Sequence, residues 1–165
     1  MNINIKTKRF TLRTLQSDDA SLTYLSWLQD DESSQYIMNI KSNLTELAGF
    51  IEQRRQDINC IFLGIFSDEK HIGNIKYQRM ADYPSVATMG ILIGEKNWRG
   101  KGVAGEVITA SIGYLKESFN VSEVNLGVEV NNIAAIKAYE KIGFDRVTDG
   151  YYNFDNNSIE MSITL

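Results

Sequence analysis

The sequence predicts an α/β fold of the α+β kind: one domain over residues 1–165, with about four helices flanking a mixed, mostly antiparallel sheet of about seven strands. Two patterns carry this prediction. Apolar residues recur every three or four positions in four segments, which is typical of helices with one buried face. Between these segments lie apolar runs of strand length, joined by short polar turns. No repeat or linker interrupts the order, so we expect a single core.

The first third of the chain predicts one strand and two helices. Alternating polar and apolar side chains over residues 9–13 indicate a half-buried strand. Residues 17–19 offer an N-cap for a helix that carries Leu22 and Leu28 on its apolar side. A second helix is predicted over residues 45–56. The polar stretch 30–43 between the two helices predicts a short helix and a loop.

The middle of the chain changes to the period of strands. Apolar runs over residues 60–66, 71–77 and 86–93 are separated by short turns, which predicts an antiparallel meander of three strands. A helix over residues 102–118 follows.

The last third predicts three more strands and a helix. A strand is expected over residues 121–130, followed by a helix over 133–142 that stops at Gly143. Residues 146–152 and 158–165 predict two closing strands around a turn at 155–157.

Composition excludes several classes of protein. With 17 Lys and Arg against 21 Asp and Glu, the net charge of −4 argues against nucleic acid or an anionic membrane as a partner. One Cys and one His exclude a disulfide scaffold and a Cys/His metal cluster, so no metal is expected. The chain has no apolar segment long enough for a signal peptide or a membrane span. We therefore expect a cytoplasmic protein.

A loop rich in small residues follows the meander. It opens the helix over residues 102–118 with Gly100, Gly102, Ala104 and Gly105. Small side chains let backbone N–H groups approach a ligand, and a helix N-terminus favours negative charge. Residues 95–102 also carry a local charge of about +2, from three cations against Glu95. The loop predicts a pyrophosphate site, with a simple tight turn as the alternative. Its spacing fits neither a P-loop nor the dinucleotide fingerprint.

A second motif lies on the helix over residues 133–142. Asn132, Ala135 and Tyr139 are spaced by three and four residues and line one face. Small neighbours leave that face open to a flat or extended ligand.

These two motifs resemble those of the GNAT superfamily of N-acetyltransferases. Arg99-x-x-Gly102-x-Ala104 matches the superfamily's Gln/Arg-x-x-Gly-x-Gly/Ala motif, and residues 132–144 are similar to its Asn-x-x-Ala/Ser-x-x-x-Tyr-x-Lys-x-Gly-Phe segment. The opening, with Trp27-Leu28-x-Asp30 and Tyr36, resembles the branch of ribosomal-protein-alanine N-acetyltransferases. Residues 62–66 and 71–76 resemble members that acetylate amino sugars.

The resemblance implies the GNAT fold, with a splayed parallel strand pair over residues 86–93 and 121–130, and acetyl-CoA as the acetyl donor. It implies that the pantetheine pairs with the backbone of Ile91, Leu92 and Ile93. The implied loop contacts to the pyrophosphate are Arg99, Gly100, Lys101, Gly102, Val103, Ala104 and Gly105. Asn132 and Ala135 are expected to contact the cofactor arm.

The resemblance also suggests catalytic groups, each with a plainer alternative. Tyr139 matches the position of the acid that protonates the departing thiolate, and the alternative is a core tyrosine. Glu129 is the leading candidate for the base, ahead of Glu95 and His71. The alternatives are a surface strand residue, a solvated turn residue and a structural histidine, respectively.

The acceptor is expected near the first two helices. Trp27 and Tyr36 are predicted to form an aromatic wall, although Trp27 is equally compatible with the core. The predicted function is acetyl-CoA-dependent transfer of an acetyl group, by direct attack in a ternary complex, to a primary amine: an amino sugar nucleotide, a protein N-terminal alanine or a small amine. A non-catalytic acyl-CoA-binding module is the alternative. The expected partners are this amine and, as in relatives, a second copy of the chain.

Overall fold

The computed structural model describes residues 1–29, 43–152 and 157–165. The strands are β1 (Asn4–Lys6), β2 (Thr11–Thr14), β3 (Cys60–Ser67), β4 (Lys70–Arg79), β5 (Val86–Ile93), β6 (Glu123–Glu129), β7 (Asp145–Val147) and β8 (Ser158–Thr164). The helices are α1 (Leu22–Gln29), α2 (Leu44–Gln56), α3 (Val103–Phe119) and α4 (Ile133–Ile142). Within the described ranges, no helix is long and apolar enough to cross a membrane.

One sheet contains all of these strands, in the order β1-β2-β3-β4-β5-β6-β8-β7. Only the β5–β6 pair is parallel among the described strands. The predicted fold class is therefore confirmed. The sequence pattern missed β1, a short edge strand that pairs with β2 through a tight turn in which the Thr7 amide donates to the Phe10 carbonyl at 2.8 Å.

The predicted strand over residues 146–152 is shorter than expected and ends with β7 at Val147. The reason lies in the hydrogen bonds of its second half. The amides of Tyr151 and Tyr152 donate to the carboxylate of Glu160 at 3.2 and 3.0 Å. Because these N–H groups are satisfied by a side chain, they do not form a strand ladder.

The caps of two helices show one prediction corrected and one confirmed. Residues 17–19 form a short 3-10 turn instead of capping α1, because the Asp19 carboxylate is bound by Arg13. Ser21 caps α1, with its hydroxyl accepting from the Tyr24 amide at 3.1 Å. In α4, Asn132 is the N-cap, and the helix ends as predicted at Gly143, whose φ is +117°. Residues 30–42, for which a short helix and loop were predicted, lie outside the described residues, as does most of the turn at 155–157.

The two faces of the sheet differ in what covers them. On the α3/α4 face, apolar side chains such as Tyr77, Met89 and Leu126 form the larger core with α3 and α4. On the α1/α2 face, a smaller core packs α1 and α2 over β3 and the Leu92 side chain. Because side chains alternate along a strand, Thr88 and Gly90 also lie on the α1/α2 face. This face becomes polar over β5, β6 and β8.

Candidate active site

A wedge-shaped cleft opens between β5 and β6. In the described part of the chain the two strands pair at three positions, the last of them Thr88 with Asn125. Beyond this point β5 stays paired with β4 as far as Ile93, and β6 with β8 as far as Glu129. Both strands therefore present an unpaired backbone edge to the cleft. Such edges can pair with the amides of an extended ligand, as an added strand would.

The predicted pantetheine contacts Ile91, Leu92 and Ile93 form the β5 edge of this cleft, and all three are partly buried. The strand ends in a fixed position, because the amides of Gly94 and Glu95 both donate to the Ile72 carbonyl, at 3.0 and 3.1 Å. The edge is thus held in place before any ligand binds.

The predicted phosphate loop has the backbone shape that its glycines allow. Gly100 and Gly102 have φ of +70° and +72°, which L-residues with side chains rarely adopt. Gly102 is the N-cap of α3, so the first amides of that helix have no intrahelical partner. Val103 begins α3 with its side chain in the core. The Arg99 side chain ties the loop to the cleft through Nε, which donates to the Ile93 carbonyl at 3.0 Å.

The charge of this loop is more positive than the sequence count indicates. Glu95, its one acidic residue, forms an ion pair with Lys70 at 2.6 Å. The sequence count of about +2 subtracted the charge of Glu95 from those of the three loop cations. Because Glu95 is instead paired with Lys70, outside the loop, it does not neutralise them. Lys101 is exposed and lies 5.8 Å from the centre of the Trp98 ring. The loop therefore offers both N–H donors and positive charge to a phosphate.

The sequence did not predict the contacts of Glu106, Thr7 and Arg9 that fix the position of this loop. Glu106, in the first turn of α3, accepts from the Thr7 hydroxyl at 2.6 Å and from the Arg9 amide at 2.7 Å. Arg9 also donates through Nη1 to the Lys101 carbonyl at 3.0 Å. Desolvation works against ionisation of Glu106, but the hydrogen bonds from Thr7 and Arg9 outweigh it and lower its pKa. About 100 residues separate the partners, so local patterns could not reveal the contact.

The α4 motif lies on the α3/α4 face, as part of the larger core. The Asn132 side chain accepts from the Ala135 amide at 3.3 Å, and Ala135 and Tyr139 are partly buried. The Tyr139 ring lies 5.9 Å from that of Phe144. Its hydroxyl has no hydrogen-bond partner among the described residues, and burial raises the pKa of the phenol. The phenol therefore keeps its proton near neutral pH.

The three candidate bases have different surroundings. Glu129 ends β6 on the α1/α2 face, and within the described ranges its carboxylate has no partner. Glu95 is held by Lys70. The ring of His71 stacks on Phe66 with centroids 4.8 Å apart, and its Nε2 lies 2.8 Å from Asn74 Oδ1. Burial lowers the pKa of His71. Glu129 is therefore the candidate whose lone pairs remain available at the mouth of the cleft.

Of the two predicted acceptor residues, the structure describes only Trp27, and it lies in the smaller core. Trp27 is 5% exposed and packs in the smaller core against Tyr24, with ring centroids 5.5 Å apart. Its indole contacts Gly94 so closely that a side chain at that position would clash with the ring. Trp27 thus lies behind the end of β5 and fixes α1 against it. Tyr36 lies outside the described residues.

A buried polar pair, which the sequence did not suggest, lies at the point where β5 and β6 separate. Asn125 is 0% exposed and Glu160 is 4% exposed, and Asn125 Nδ2 donates to Glu160 Oε1 at 2.8 Å. Glu160 also accepts the amides of Tyr151 and Tyr152, and the Tyr152 hydroxyl lies 2.9 Å from that of Thr88. This network holds residues 150–152 over the polar part of the α1/α2 face. An acidic residue in an alternating strand is usually exposed, so the sequence pattern did not predict that Glu160 is buried.

The cleft fits a ligand with an extended amide arm and a pyrophosphate. Two backbone edges can pair with such an arm, and a cationic loop with two left-handed glycines can hold the phosphates. Fold and site together therefore define an acyl-CoA-dependent transferase.

The chain belongs to the acetyltransferase (GNAT) domain family, whose sequence model matches residues 9–145. The predicted superfamily is thereby confirmed. Acetyl-CoA, the donor that this family uses, is the acetyl donor of this chain.

Named relatives agree with this assignment. The chain is 27% identical over 159 residues to the N-alpha-acetyltransferase of Saccharolobus solfataricus, covering 89% of this chain and 88% of the relative. The crystal structure of the ribosomal-protein-S5-alanine acetyltransferase from Vibrio fischeri matches with a TM-score of 0.78 and 15% identity, over 98% of this chain and 96% of that one. The microcin C7 self-immunity acetyltransferase MccE, solved with acetyl-CoA and AMP, matches with a TM-score of 0.75 and 20% identity, over 96% and 93%. At these identities the two structures show the shared fold.

Proposed function

We propose that this acetyltransferase transfers the acetyl group directly to a primary amine while both substrates are bound. The observation that carries the proposal is the position of the candidate acid and base on opposite faces of the sheet. Tyr139 lies on the α3/α4 face and Glu129 on the α1/α2 face. Groups on the two faces meet where the sheet is open, in the cleft between β5 and β6. Donor and acceptor can therefore enter from opposite sides.

Acetyl-CoA, when bound, supplies an acetyl group activated as a thioester. The backbone edge formed by Ile91, Leu92 and Ile93 orients its arm, and an N–H of this edge polarises the reacting carbonyl. The amides from Arg99 to Gly105 hold the pyrophosphate, and Asn132 and Ala135 line the arm on the α4 side.

Tyr139 donates its proton to the departing sulfur. An ordinary phenol has a pKa of about 10 and a thiol one of about 8.5, so the transfer is slightly uphill in water. The Tyr139 hydroxyl has no hydrogen-bond partner among the described residues, and burial keeps it neutral. Its proton is therefore available for this step.

Glu129 takes a proton from the acceptor, directly or through water. Amines arrive mostly as ammonium ions, so an acetylation site needs a group that removes a proton before attack. In the described part of the chain, the Glu129 carboxylate has neither an ion pair nor a hydrogen bond, so its oxygens are open to the acceptor.

Three classes of acceptor remain in the proposal: an amino sugar nucleotide, a protein N-terminal alanine and a small amine. The similarity to an N-alpha-acetyltransferase supports a protein N-terminus. A nucleotide-linked acceptor is supported by the structural neighbour that was solved with AMP.

A panel assay tests the proposal. Thiol release from acetyl-CoA is measured with spermidine, amino sugars and an alanine-led peptide, and the acetylated product is identified by mass spectrometry. We expect turnover with at least one amine. Tight cofactor binding without turnover on any amine would favour the non-catalytic binding module.

Glu129 is tested by the variant Glu129→Gln, with Glu123→Gln at the other end of β6 as the matched control. We expect E129Q to lower kcat/KM and to change its pH profile, while E123Q keeps the wild-type profile. Superimposable profiles for wild type and E129Q would remove Glu129 from the mechanism.

A further inference from the structure

Two cations lie close together on the α1/α2 face, beside the cleft. Lys76 is in the middle of β4, on the face opposite to its buried neighbours Ile75 and Tyr77. Arg54 is in the last turn of α2. Both side chains are partly buried. We refer to Lys76 and Arg54 as the cation pair.

Neither cation has a carboxylate partner in the part of the chain that the structure describes. Lys76 makes no hydrogen bond or ion pair there. The Arg54 guanidinium lies 5.0 Å from the centre of the Phe50 ring, and its Nε is buried without a hydrogen-bond partner. A guanidinium needs planar acceptors to satisfy its donors, and a ring face satisfies none of them fully.

The nearby acidic residues are engaged elsewhere. Glu52, also on α2, forms an ion pair with Arg55 at 2.6 Å. Asp57 accepts from Gln78 Nε2 at 3.1 Å and from the Asn59 amide at 2.8 Å. The described carboxylates on this part of α2 therefore leave the cation pair uncompensated.

The two cations are close enough to affect each other. The Phe50 ring, under Arg54, lies 5.8 Å from the Phe62 ring, and Phe62 is directly opposite Lys76 on the neighbouring strand. Burial, and to a smaller extent the charge of Arg54, lowers the pKa of Lys76. Like charges held together in a partly dry site cost free energy unless an anion joins them.

Open space lies next to the pair, at the cleft. Lys76 is paired in register with Gly90 on β5, two residues beyond the last contact between β5 and β6. Gly90 is exposed, and a Cβ added there would meet no described atom within 4 Å. A ligand above Gly90 would therefore reach both the cleft and the cation pair.

We propose that Lys76 and Arg54 form an anion subsite for the acceptor, so that the amine this enzyme acetylates also carries a phosphate or carboxylate group. The inference rests on the proposed function and narrows its acceptor class. The anion would neutralise the cation pair while the amine reaches the cleft over Gly90. Neutral amines and polyamines would lack this contact and bind more weakly.

Binding measurements test the subsite without requiring turnover. The protein is first saturated with CoA, so that the phosphate loop is filled, and is then titrated calorimetrically with inorganic phosphate, AMP and succinate. Wild type, Lys76→Gln and Arg54→Gln are compared with Lys116→Gln, which changes an exposed lysine on α3. Phosphate and AMP test for binding of a phosphate group, and succinate tests for binding of a carboxylate group.

We expect wild type to bind at least one of these anions, and K76Q and R54Q to weaken the binding about tenfold or more, the loss of one charge-assisted hydrogen bond. K116Q should bind as wild type does. The proposal is overturned if CoA-saturated wild type binds none of the anions, or if K76Q and R54Q bind as well as wild type. Thermal unfolding of both variants checks the fold, and both should be at least as stable as wild type because an uncompensated charge is removed.

Kinetics with two matched amines distinguish failure of the anion subsite from failure of the proposed function. Glucosamine and glucosamine 6-phosphate differ by one phosphate. We expect K76Q to raise KM for the phosphorylated amine alone. An equal change for both amines would argue against the subsite. Absence of turnover with every amine would count against the proposed function, while the anion titration would still decide the subsite.

Discussion

At the scale of single residues, two buried tyrosines differ in what their hydroxyl groups do. The Tyr77 hydroxyl lies 2.7 Å from Ser111 Oγ, which itself donates to the Val107 carbonyl at 2.6 Å. Tyr77 therefore donates to Ser111 and links β4 to α3. The Tyr139 hydroxyl has no such link among the described residues, and its ring packs on the larger core. One phenol contributes to stability, and we assign the other to catalysis.

Tyr139→Phe should therefore lower kcat without weakening acetyl-CoA binding. Loss of a general acid reduces the rate by roughly 10²-fold or more. The melting temperature should stay near that of wild type because no described hydrogen bond is lost. Steady-state kinetics and calorimetric titration with acetyl-CoA measure the two effects. Unchanged turnover at saturating substrates would remove Tyr139 from the mechanism.

Tyr77→Phe is the matched control for Tyr139→Phe, since it deletes the same atom from the same core. It should reduce the free energy of unfolding by about 1 kcal/mol, the net value of a buried hydrogen bond. Its kcat should equal that of wild type. A fall in kcat for both variants would mean that loss of any core hydroxyl disturbs the site.

The contact between Trp27 and Gly94 decides between the two interpretations of Trp27. Gly94→Ala would place a methyl group in the indole ring, so it should destabilise the fold by about 1–3 kcal/mol, the usual cost of overpacking. Gly90→Ala, in the same strand, adds a methyl group to open space and should leave stability nearly unchanged. Denaturant unfolding measures both variants. Equal stability of G94A and G90A would show that Trp27 can move away from β5.

At the scale of elements, the N-terminus of α3 depends on one backbone conformation. Gly102→Ala would force a side chain into the left-handed region, at a cost of about 1–2 kcal/mol, and would displace the amides that face the phosphates. It should therefore raise the Kd for acetyl-CoA. Gly113→Ala, in the middle of the same helix, should increase stability by about 0.5–1 kcal/mol and leave this Kd unchanged. Calorimetric Kd values that match for the two variants would contradict the role of the loop.

The turn after β2 makes stability depend on pH in the acid range. Burial alone would raise the pKa of Asp19, but the Arg13 guanidinium at 2.6 and 2.8 Å and the Gln16 amide at 2.7 Å lower it further than burial raises it. A lowered pKa stabilises the folded state above the ordinary value of 3.8, and this contribution is lost as the pH falls below that value. Melting temperatures at about pH 6 and pH 3 should therefore differ more for wild type than for Asp19→Asn. The same difference in both proteins would contradict this.

Elements with a strong period were predictable from the sequence, and contacts between distant segments were not. The four helices and the strands around the cleft follow from apolar spacing, and Gly100 and Gly102 indicated the loop. The strand β1 lies within residues 1–6, which do alternate between apolar and polar side chains, but the sequence prediction did not include a strand there. Glu160 shortened the strand after α4 because it binds backbone amides from a different segment. Such hydrogen bonds between a side chain and the backbone of another segment depend on the fold. A short stretch of sequence therefore cannot predict them.

At the scale of the whole molecule, a net charge of −4 coexists with two cationic sites. One is the loop around Lys101, before α3. The other is the cation pair of Lys76 and Arg54, on the α1/α2 face. Negative charge stands near the same cleft in Glu129 and Glu160. The net charge of −4 argues against large polyanions as partners, while the local cations favour the proposed acceptor, an amine that carries an anionic group.

The sheet has an opening in its middle that suits the proposed binding of two substrates. Seven neighbouring pairs join the described strands, and the parallel pair β5–β6 opens after three residue contacts. A gap in the middle of a sheet connects its two faces without a separate channel. The binding site thus follows from an incomplete strand pairing, which the outer pairs β4–β5 and β6–β8 keep in shape.

A crystal structure with bound CoA tests whether the cleft between β5 and β6 binds the acetyl donor. We predict that the pantetheine lies along the backbone of Ile91, Leu92 and Ile93, the pyrophosphate on the amides from Arg99 to Gly105, and the sulfur within reach of the Tyr139 hydroxyl. CoA bound at another surface, with the cleft between β5 and β6 closed or empty, would contradict the account.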